Sequence, residues 1–165
     1  MAAAEDIALI KKQEQDLVLT AFDEHVAFAL GSSIYQRATA EGLGLVVDIR
    51  TWDRQMFFAA TPGTSFDNAE WVRRKINSVR RFHRASYRLV LERGEVPFPP
   101  QSGADPADHV IAGGCFPVRV PGAGIIGAVT ISGLPGWKDH AVVVDALCDH
   151  LGKSRSDYAL PEPTK

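Results

Sequence analysis

Residues 116–133 read FPVRVPGAGIIGAVTISG, and this stretch decides the fold class. Gly122, Gly124 and Gly127 have the G-x-G-x-x-G spacing of a dinucleotide-binding fingerprint. That fingerprint requires a helix directly after the glycines, because the helix N-terminus holds the pyrophosphate. Residues 125–132 instead alternate and are rich in β-branched side chains, which is typical of a strand. The stretch therefore predicts a hairpin with a glycine turn and argues against a nucleotide cradle.

A second hairpin is predicted upstream. LVVDIR at 45–50 alternates between two faces, and RQMFFAA at 54–60 follows after a short connection. The downstream hairpin pairs 115–120 with 125–132, and Pro117 places the first of these strands at an edge or a bulge. LVLTAF at 17–22 is either a further strand or an extended connector. Two antiparallel hairpins separated by a helix predict an α+β fold with a central antiparallel sheet of about five strands flanked by helices.

Four helices are predicted around these strands by their apolar spacing and their caps. The third is the longest and is strongly basic, and the proline-rich loop after it joins two parts that need each other to form a sheet. Residues 1–152 are therefore expected to form a single domain, followed by a flexible tail at 153–165. The predicted helices span 4–15, Asp23 to about Ala40, Asn68–Arg93 and Lys138–Leu151.

The amino-acid composition argues against several classes of function. The 165 residues are 45% hydrophobic with a net charge of -2, which predicts a globular protein with no nucleic-acid partner. Apolar runs fall short of a membrane span, so no membrane role is expected. Only two cysteines and no secretory segment predict a cytoplasmic location. No zinc-type spacing of histidine and cysteine is present, so no metal site is predicted.

Several residues are candidates for chemistry. Arg73, Arg74 and Lys75 on the basic helix are able to bind carboxylates or phosphates, although a solvated outer face is the more common explanation of such a run. His109 lies in a loop shortly before a glycine pair, within reach of a ligand. Asp139 and His140 begin the last helix, where they either hold a ligand or cap the helix. Ser132 and Cys115 are isolated nucleophile candidates with no visible base, so no catalytic residue is assigned.

Residues 113–140, GGCFPVRVPGAGIIGAVTISGLPGWKDH, resemble the GlcG/HbpS-like superfamily, also called the heme-degrading-domain family, and in particular its uncharacterised cytosolic branch. The shared pattern is a Gly-Gly pair, a strand with proline, a glycine turn, a strand ending in Ser-Gly, and an aspartate that begins the last helix. GLVVDIR at 44–50 and PGTSFDNAEWVRRK at 62–75 look like the same branch. The resemblance implies a profilin-like fold, assembly into oligomers and, in some relatives, heme binding.

The resemblance predicts an oligomeric small-ligand-binding protein that binds heme or another anionic cofactor. Gly113 and Gly114 would let backbone N–H groups approach the ligand. Ala112 stands where the branch usually has a histidine, so His109 is the remaining substitute as an iron ligand. The alternative is a non-catalytic interaction or assembly protein, and a third hypothesis is an enzyme that uses Cys115 or Ser132. The expected ligand-binding residues are Arg73, Arg74, Lys75, His109, Gly113, Gly114, Ser132, Asp139 and His140.

Self-association is expected as well. A sheet edge that carries proline and an N-terminal helix with exposed apolar residues would leave surface to cover.

Overall fold

The computed structural model describes residues 2–164 and contains a four-stranded antiparallel sheet, whose strands lie side by side in the order Arg54–Ala60 (β2), Val46–Thr51 (β1), Gly124–Ser132 (β4) and Cys115–Val120 (β3). Two 3-10 turns, Pro100–Ser102 and Arg155–Asp157, lie in the connecting and C-terminal segments. None of the helices in this range is both long and apolar enough to cross a lipid bilayer. In chain order the elements are α1 (Ala2–Asp16), α2 (Glu24–Glu41), β1 (Val46–Thr51), β2 (Arg54–Ala60), α3 (Phe66–Phe82), α4 (Ser86–Arg93), β3 (Cys115–Val120), β4 (Gly124–Ser132) and α5 (Gly136–Leu151).

The sheet is covered by helices on both faces. Alternate residues of β1 and β4, such as Val47 and Ile131, pack on the side of α2 and α5. Their neighbours, such as Val46 and Ala128, pack against one stripe of α3. Burying both faces of an antiparallel sheet in this way requires helices in two outer layers. The predicted α+β, profilin-like architecture is confirmed.

The sheet has four strands rather than the five expected. Residues 17–22 form an extended connector, the other alternative that the sequence left open. Leu17 and Leu19 are buried, and the Leu19 N–H donates to the carbonyl oxygen of Arg119 on β3 at 3.0 Å. This segment therefore lies along the edge of β3. It is held there by its buried side chains and by one backbone hydrogen bond, and it does not form a fifth strand.

The long helix predicted over Asn68–Arg93 is wrong, because the chain bends after Phe82. His83 adopts a left-handed conformation (φ 53°), and its N–H closes α3 on the carbonyl oxygen of Val79 at 2.8 Å. After the bend, α4 packs against α1 and also contacts β3, where the Ser86 hydroxyl accepts the Cys115 N–H at 2.9 Å. On the α1 side, Arg88 pairs with Glu14 at 2.7 Å, and Glu14 also accepts the backbone N–H of Ala85.

The glycine fingerprint forms a hairpin, as predicted. Gly122 and Gly124 have φ of 78° and 76° in the turn between β3 and β4, a region that favours glycine. Gly127 lies inside β4, where a Cβ would overlap the carbonyl oxygen of Arg50 on β1. The three glycines therefore allow the tight turn and the close pairing of β4 with β1.

Part of the segment expected as a flexible tail packs against the domain. Tyr158 is buried, and its hydroxyl donates to Asp16 at 3.0 Å. The Gln13 side-chain amide donates to the Tyr158 carbonyl oxygen at 2.7 Å. These contacts hold the chain after α5 on α1.

Candidate functional site

A cleft of about 450 Å³ lies on the α3 side of the sheet. It is bounded by the first half of α3, the loop before β3, the end of β4 and the first turn of α5. Four of the predicted ligand-binding residues meet in it: Lys75, Gly113, Ser132 and Asp139. The lining consists of Asp67, Asn68, Trp71, Lys75, Glu95, Val110, Ile111, Ala112, Gly113, Ser132, Gly133, Leu134, Gly136 and Asp139.

The Gly-Gly pair closes one wall of the cleft. A Cβ on Gly113 would overlap the carbonyl oxygen of Gly136, so the loop before β3 lies directly against the start of α5. Gly114 has φ of 121°, and a Cβ there would lie 3.0 Å from Lys75 Nζ and 2.8 Å from Asp139 Cβ. The sequence predicted that a ligand approaches the backbone at Gly114, but the Lys75 and Asp139 side chains occupy this space. Gly113 still lines the cleft through its backbone.

A buried ion pair forms the floor. Lys75 Nζ lies 3.1 Å from Asp139 Oδ2 and donates to the Ile131 carbonyl oxygen at 2.9 Å. The other carboxylate oxygen accepts the Leu134 N–H at 3.0 Å, which fixes the turn before α5. The two side chains are only 3% and 2% exposed. Within residues 2–164 the third ammonium hydrogen of Lys75 has no acceptor.

Burial affects the protonation of the Asp139 carboxyl group. Desolvation raises the pKa of Asp139 to about 6, and the nearby Lys75 ammonium opposes that rise. Shifted pKa values of this kind are common in functional clefts.

Ser132 adds a second donor to the floor. The residue is 5% exposed, lines the cleft, and its hydroxyl has no hydrogen-bond partner in the part of the chain described. On the same face of β4, the Thr130 hydroxyl donates to the Cys115 sulfur at 3.1 Å. The Ser132 Oγ atom is not fully buried, because it is open to the cleft, so its hydroxyl is available to an acceptor from outside.

The rim of the cleft is aromatic and acidic. Trp71 is 37% exposed, and its indole N–H donates to Asp67 at 3.2 Å. Glu95 lies on the rim as well. The lining thus carries the carboxylates of Asp67, Glu95 and Asp139 against the single ammonium of Lys75, so its charge is net negative. The three rim residues carry no sequence signal of a site, because Trp71 falls at an apolar helical spacing with Val72 and Ile76, and the two acids stand beside turns.

Arg73 and Arg74 do not enter the cleft as predicted. Arg73 pairs with Asp108 at 2.9 Å and donates to the Ala107 carbonyl oxygen at 3.0 Å. Arg74 donates to the Pro106 carbonyl oxygen at 2.9 Å. The two guanidinium groups hold the proline-rich loop on α3, and the Arg73 charge is paired with Asp108 there, whereas the Arg74 guanidinium lies 5.3 Å from the Trp71 ring centroid.

The two candidate histidines lie elsewhere. His109 is half-buried, and its Nδ1 lies 3.1 Å from the Asp105 carbonyl oxygen beside a separate pocket of about 140 Å³. His140 is buried in the core, with Nε2 2.8 Å from the Gln13 amide oxygen. Complete desolvation lowers the pKa of His140 to about 3 and keeps the ring neutral. Its predicted role at the ligand site is therefore wrong, since it belongs to the core.

Cys115 is buried as well, and desolvation raises the pKa of its thiol to about 12. A buried, protonated thiol is a poor nucleophile, which argues against the hypothesis of an enzyme that uses Cys115.

The residues of the cleft do not fit heme. Heme iron takes a His, Cys, Met or Tyr as axial ligand, and none of these lines the cleft. Ala112 lines it at the position where the resemblance expected a histidine. The available substitute, His109, faces the 140 Å³ pocket, which is smaller than the roughly 300 Å³ at which ligand pockets begin.

The fold and the cleft define a small α+β domain with a preformed cleft of ligand size. Comparison with known sequences shows that the chain belongs to the HbpS-like family: the profile described as "Haem degrading protein HbpS-like" matches residues 22–148. A UPF0303 protein of Mesorhizobium japonicum is 59% identical over 162 residues, which cover 97% of this chain and 97% of that protein.

Solved structures share the fold. The crystal structure of the Ybr137w protein has a TM-score of 0.81 at 22% identity, covering 88% of this chain and 87% of that one. The PduOC:heme complex has a TM-score of 0.64 at 21% identity, covering 78% and 94%. The predicted superfamily is confirmed.

Proposed function

We propose that this protein binds a small molecule in the cleft above Lys75 and Asp139. The observation that carries the proposal is the pair of unused donors on the floor, the Ser132 hydroxyl and the third ammonium hydrogen of Lys75. Both belong to residues that are at least nine-tenths buried, and both lie at an open cleft of about 450 Å³. A ligand with a hydrogen-bond acceptor would accept from both donors at the cleft floor.

The proposal departs from the heme ligand that the resemblance implied. The family description names haem, but this cleft offers no iron ligand and no surplus of cations for carboxylates. We expect hemin to give no saturable Soret shift with the purified protein. A saturable shift that disappears in His109→Ala would restore heme as the ligand.

Self-association is also part of the proposal, although the surface differs from the one expected. The N-terminal helix buries Ile10, whereas Phe28, Tyr35 and Phe58 are 66%, 39% and 44% exposed. These three side chains line a groove on α2 and the edge strand β2. Exposed aromatic side chains beside an open strand edge favour contact with another protein surface, here a second copy.

A non-catalytic interaction or assembly protein remains the alternative function. Neighbouring side chains that filled the space around Gly113 would favour this alternative. An open, polar cleft lies beside Gly113 instead, which favours ligand binding. The aromatic groove on α2 and β2 is the observation that supports the alternative.

A fragment screen followed by amide chemical shifts tests the two functions against each other. Neutral and charged fragments are titrated into isotope-labelled protein, and the shifted amides are mapped. Small-molecule binding predicts that binders shift Gly113, Gly133 and Leu134, and that Ser132→Ala weakens them while the distant control Ser154→Ala does not. Shifts confined to the aromatic groove would contradict the proposed function and support the interaction protein.

A further inference from the structure

The cleft has two chemically different ends. Its floor carries hydrogen-bond donors, because Lys75 and Ser132 are 3% and 5% exposed and each has capacity left. Its rim is formed by Trp71 and by two solvent-exposed carboxylates, Asp67 and Glu95. A ligand that matches both ends needs an acceptor at one end and positive charge at the other.

The charges around the cleft favour a cation at the rim. On the floor, the ammonium of Lys75 and the carboxylate of Asp139 compensate each other at 3.1 Å. Asp67 and Glu95 lack a salt-bridge partner within residues 2–164, so their charge acts on the rim. Carboxylates near a binding site attract cations and repel anions, and this effect is screened by salt.

Trp71 supplies a surface for a flat, positively charged group. The guanidinium carbon of Arg74 lies 5.3 Å from the ring centroid. Trp71 lines the cleft and is 37% exposed, whereas Arg74 does not line the cleft. A ligand cation over an indole face is attracted by the ring quadrupole, with Trp the best of the aromatic side chains.

We propose that the cleft binds a planar organic cation that carries a carbonyl-type acceptor. The carbonyl oxygen accepts from Lys75 and Ser132 on the floor, and the cationic ring lies on Trp71 between the two rim carboxylates. This inference rests on the proposed small-molecule function and adds the chemical class of the ligand. The apolar side chains of Val110 and Ile111 complete the lining and exclude water from part of the ring.

Three pyridine probes of nearly equal shape test the charge preference. They are nicotinamide methylated at the ring nitrogen, which is a cation, neutral nicotinamide, and nicotinate, which is an anion. Each is titrated into isotope-labelled protein, with the amides of Gly113 and Gly133 and the Trp71 indole N–H as reporters. We expect the cation to bind about tenfold more tightly than nicotinamide, because each of the two rim carboxylates contributes about threefold and neutral nicotinamide also stacks on the Trp71 ring. Nicotinate is expected to bind most weakly.

Two single variants and their double variant test whether the rim carboxylates cause the preference for the cation. Asp67→Asn keeps an acceptor for the Trp71 indole N–H and removes the charge, and Glu95→Gln removes the other charge. Each is expected to reduce the preference for the cation by about threefold, and the double variant to abolish it. Asp108→Asn is the matched control, because this exposed acid pairs with Arg73 away from the cleft.

The outcomes separate the inference from the proposed function. If nicotinate binds at the cleft amides as tightly as the cation, the charge preference is overturned while the ligand site stands. If no probe shifts the cleft amides up to its solubility limit, the inference is overturned, and the fragment screen decides the proposed function. A cation preference that persists in the double variant also overturns the inference.

Discussion

Lys75→Met leaves the Asp139 carboxylate buried without its cation. Breaking a buried ion pair by removing one partner typically costs about 3–5 kcal/mol of unfolding free energy, since the remaining charge is uncompensated. Both side chains are almost completely buried at 3.1 Å, so we expect the full effect at pH 8. Lys153→Met changes an exposed lysine and should stay within about 0.5 kcal/mol of the parent.

The cost of Lys75→Met should depend on pH with a definite sign. In the parent, burial raises the pKa of Asp139 to about 6, above the ordinary 3.8, so this group stabilises the fold most at low pH and that contribution is lost as pH rises through 6. Removing the ammonium raises this pKa further, because Lys75 is the largest influence that lowers it. Between the two folded-state pKa values, each pH unit adds about 1.4 kcal/mol to the cost. The variant should therefore lose about 3 kcal/mol more at pH 8 than at pH 5.

Urea unfolding of the parent, Lys75→Met, Asp139→Asn and the double variant at both pH values measures these differences. The double variant should recover much of the loss at pH 8, because a neutral amide replaces the unpaired charge. A cost of Lys75→Met that is equal at pH 5 and pH 8, or a double variant whose loss is the sum of the single losses, would refute the reasoning.

Three further predictions follow from the fold and the surface. Gly127→Ala should lower the free energy of unfolding by about 3 kcal/mol, measured by thermal unfolding, because its Cβ overlaps a carbonyl oxygen of β1. Gly122→Ala lies in open space and should cost only about 1 kcal/mol. A larger loss for Gly122→Ala than for Gly127→Ala would contradict the strand pairing. Phe58→Glu should convert an oligomer into the 17.9 kDa monomer in light scattering, while Phe66→Glu, outside the groove, should not; a monomeric parent would refute the proposed self-association. Cys115 should resist maleimide labelling in the native state and react on unfolding, and rapid native labelling would contradict its burial.

The strands were predictable because alternation is a local signal. Residues 45–50 and 125–132 show it clearly, and both hairpins lie where the sequence placed them. The bend at His83 was not predictable in this way, since apolar spacing continues across it and neither glycine nor proline marks it. The packing of Tyr158 also depends on long-range contacts, because α1 lies more than 140 residues away.

The site was only partly predictable. Lys75 was named with Arg73 and Arg74 as one basic group, but successive helical residues point about 100° apart, and only Lys75 shares the buried stripe of Val72 and Ile76. A charged residue on an apolar stripe was a signal available in the sequence. Its partner Asp139 is 64 residues away, and nothing local connects the two. The acidic rim joins Asp67 in the first turn of α3 with Glu95 in the loop after α4, and only the structure brings these two positions together.

A crystal structure of the protein with the methylated nicotinamide cation would show directly where the ligand binds. We expect the ligand in the cleft, with its carbonyl oxygen within hydrogen-bond distance of Lys75 Nζ and Ser132 Oγ and its ring on Trp71. A ligand found only in the groove of Phe28 and Tyr35, or a cleft closed by its own side chains in the crystal, would contradict this expectation.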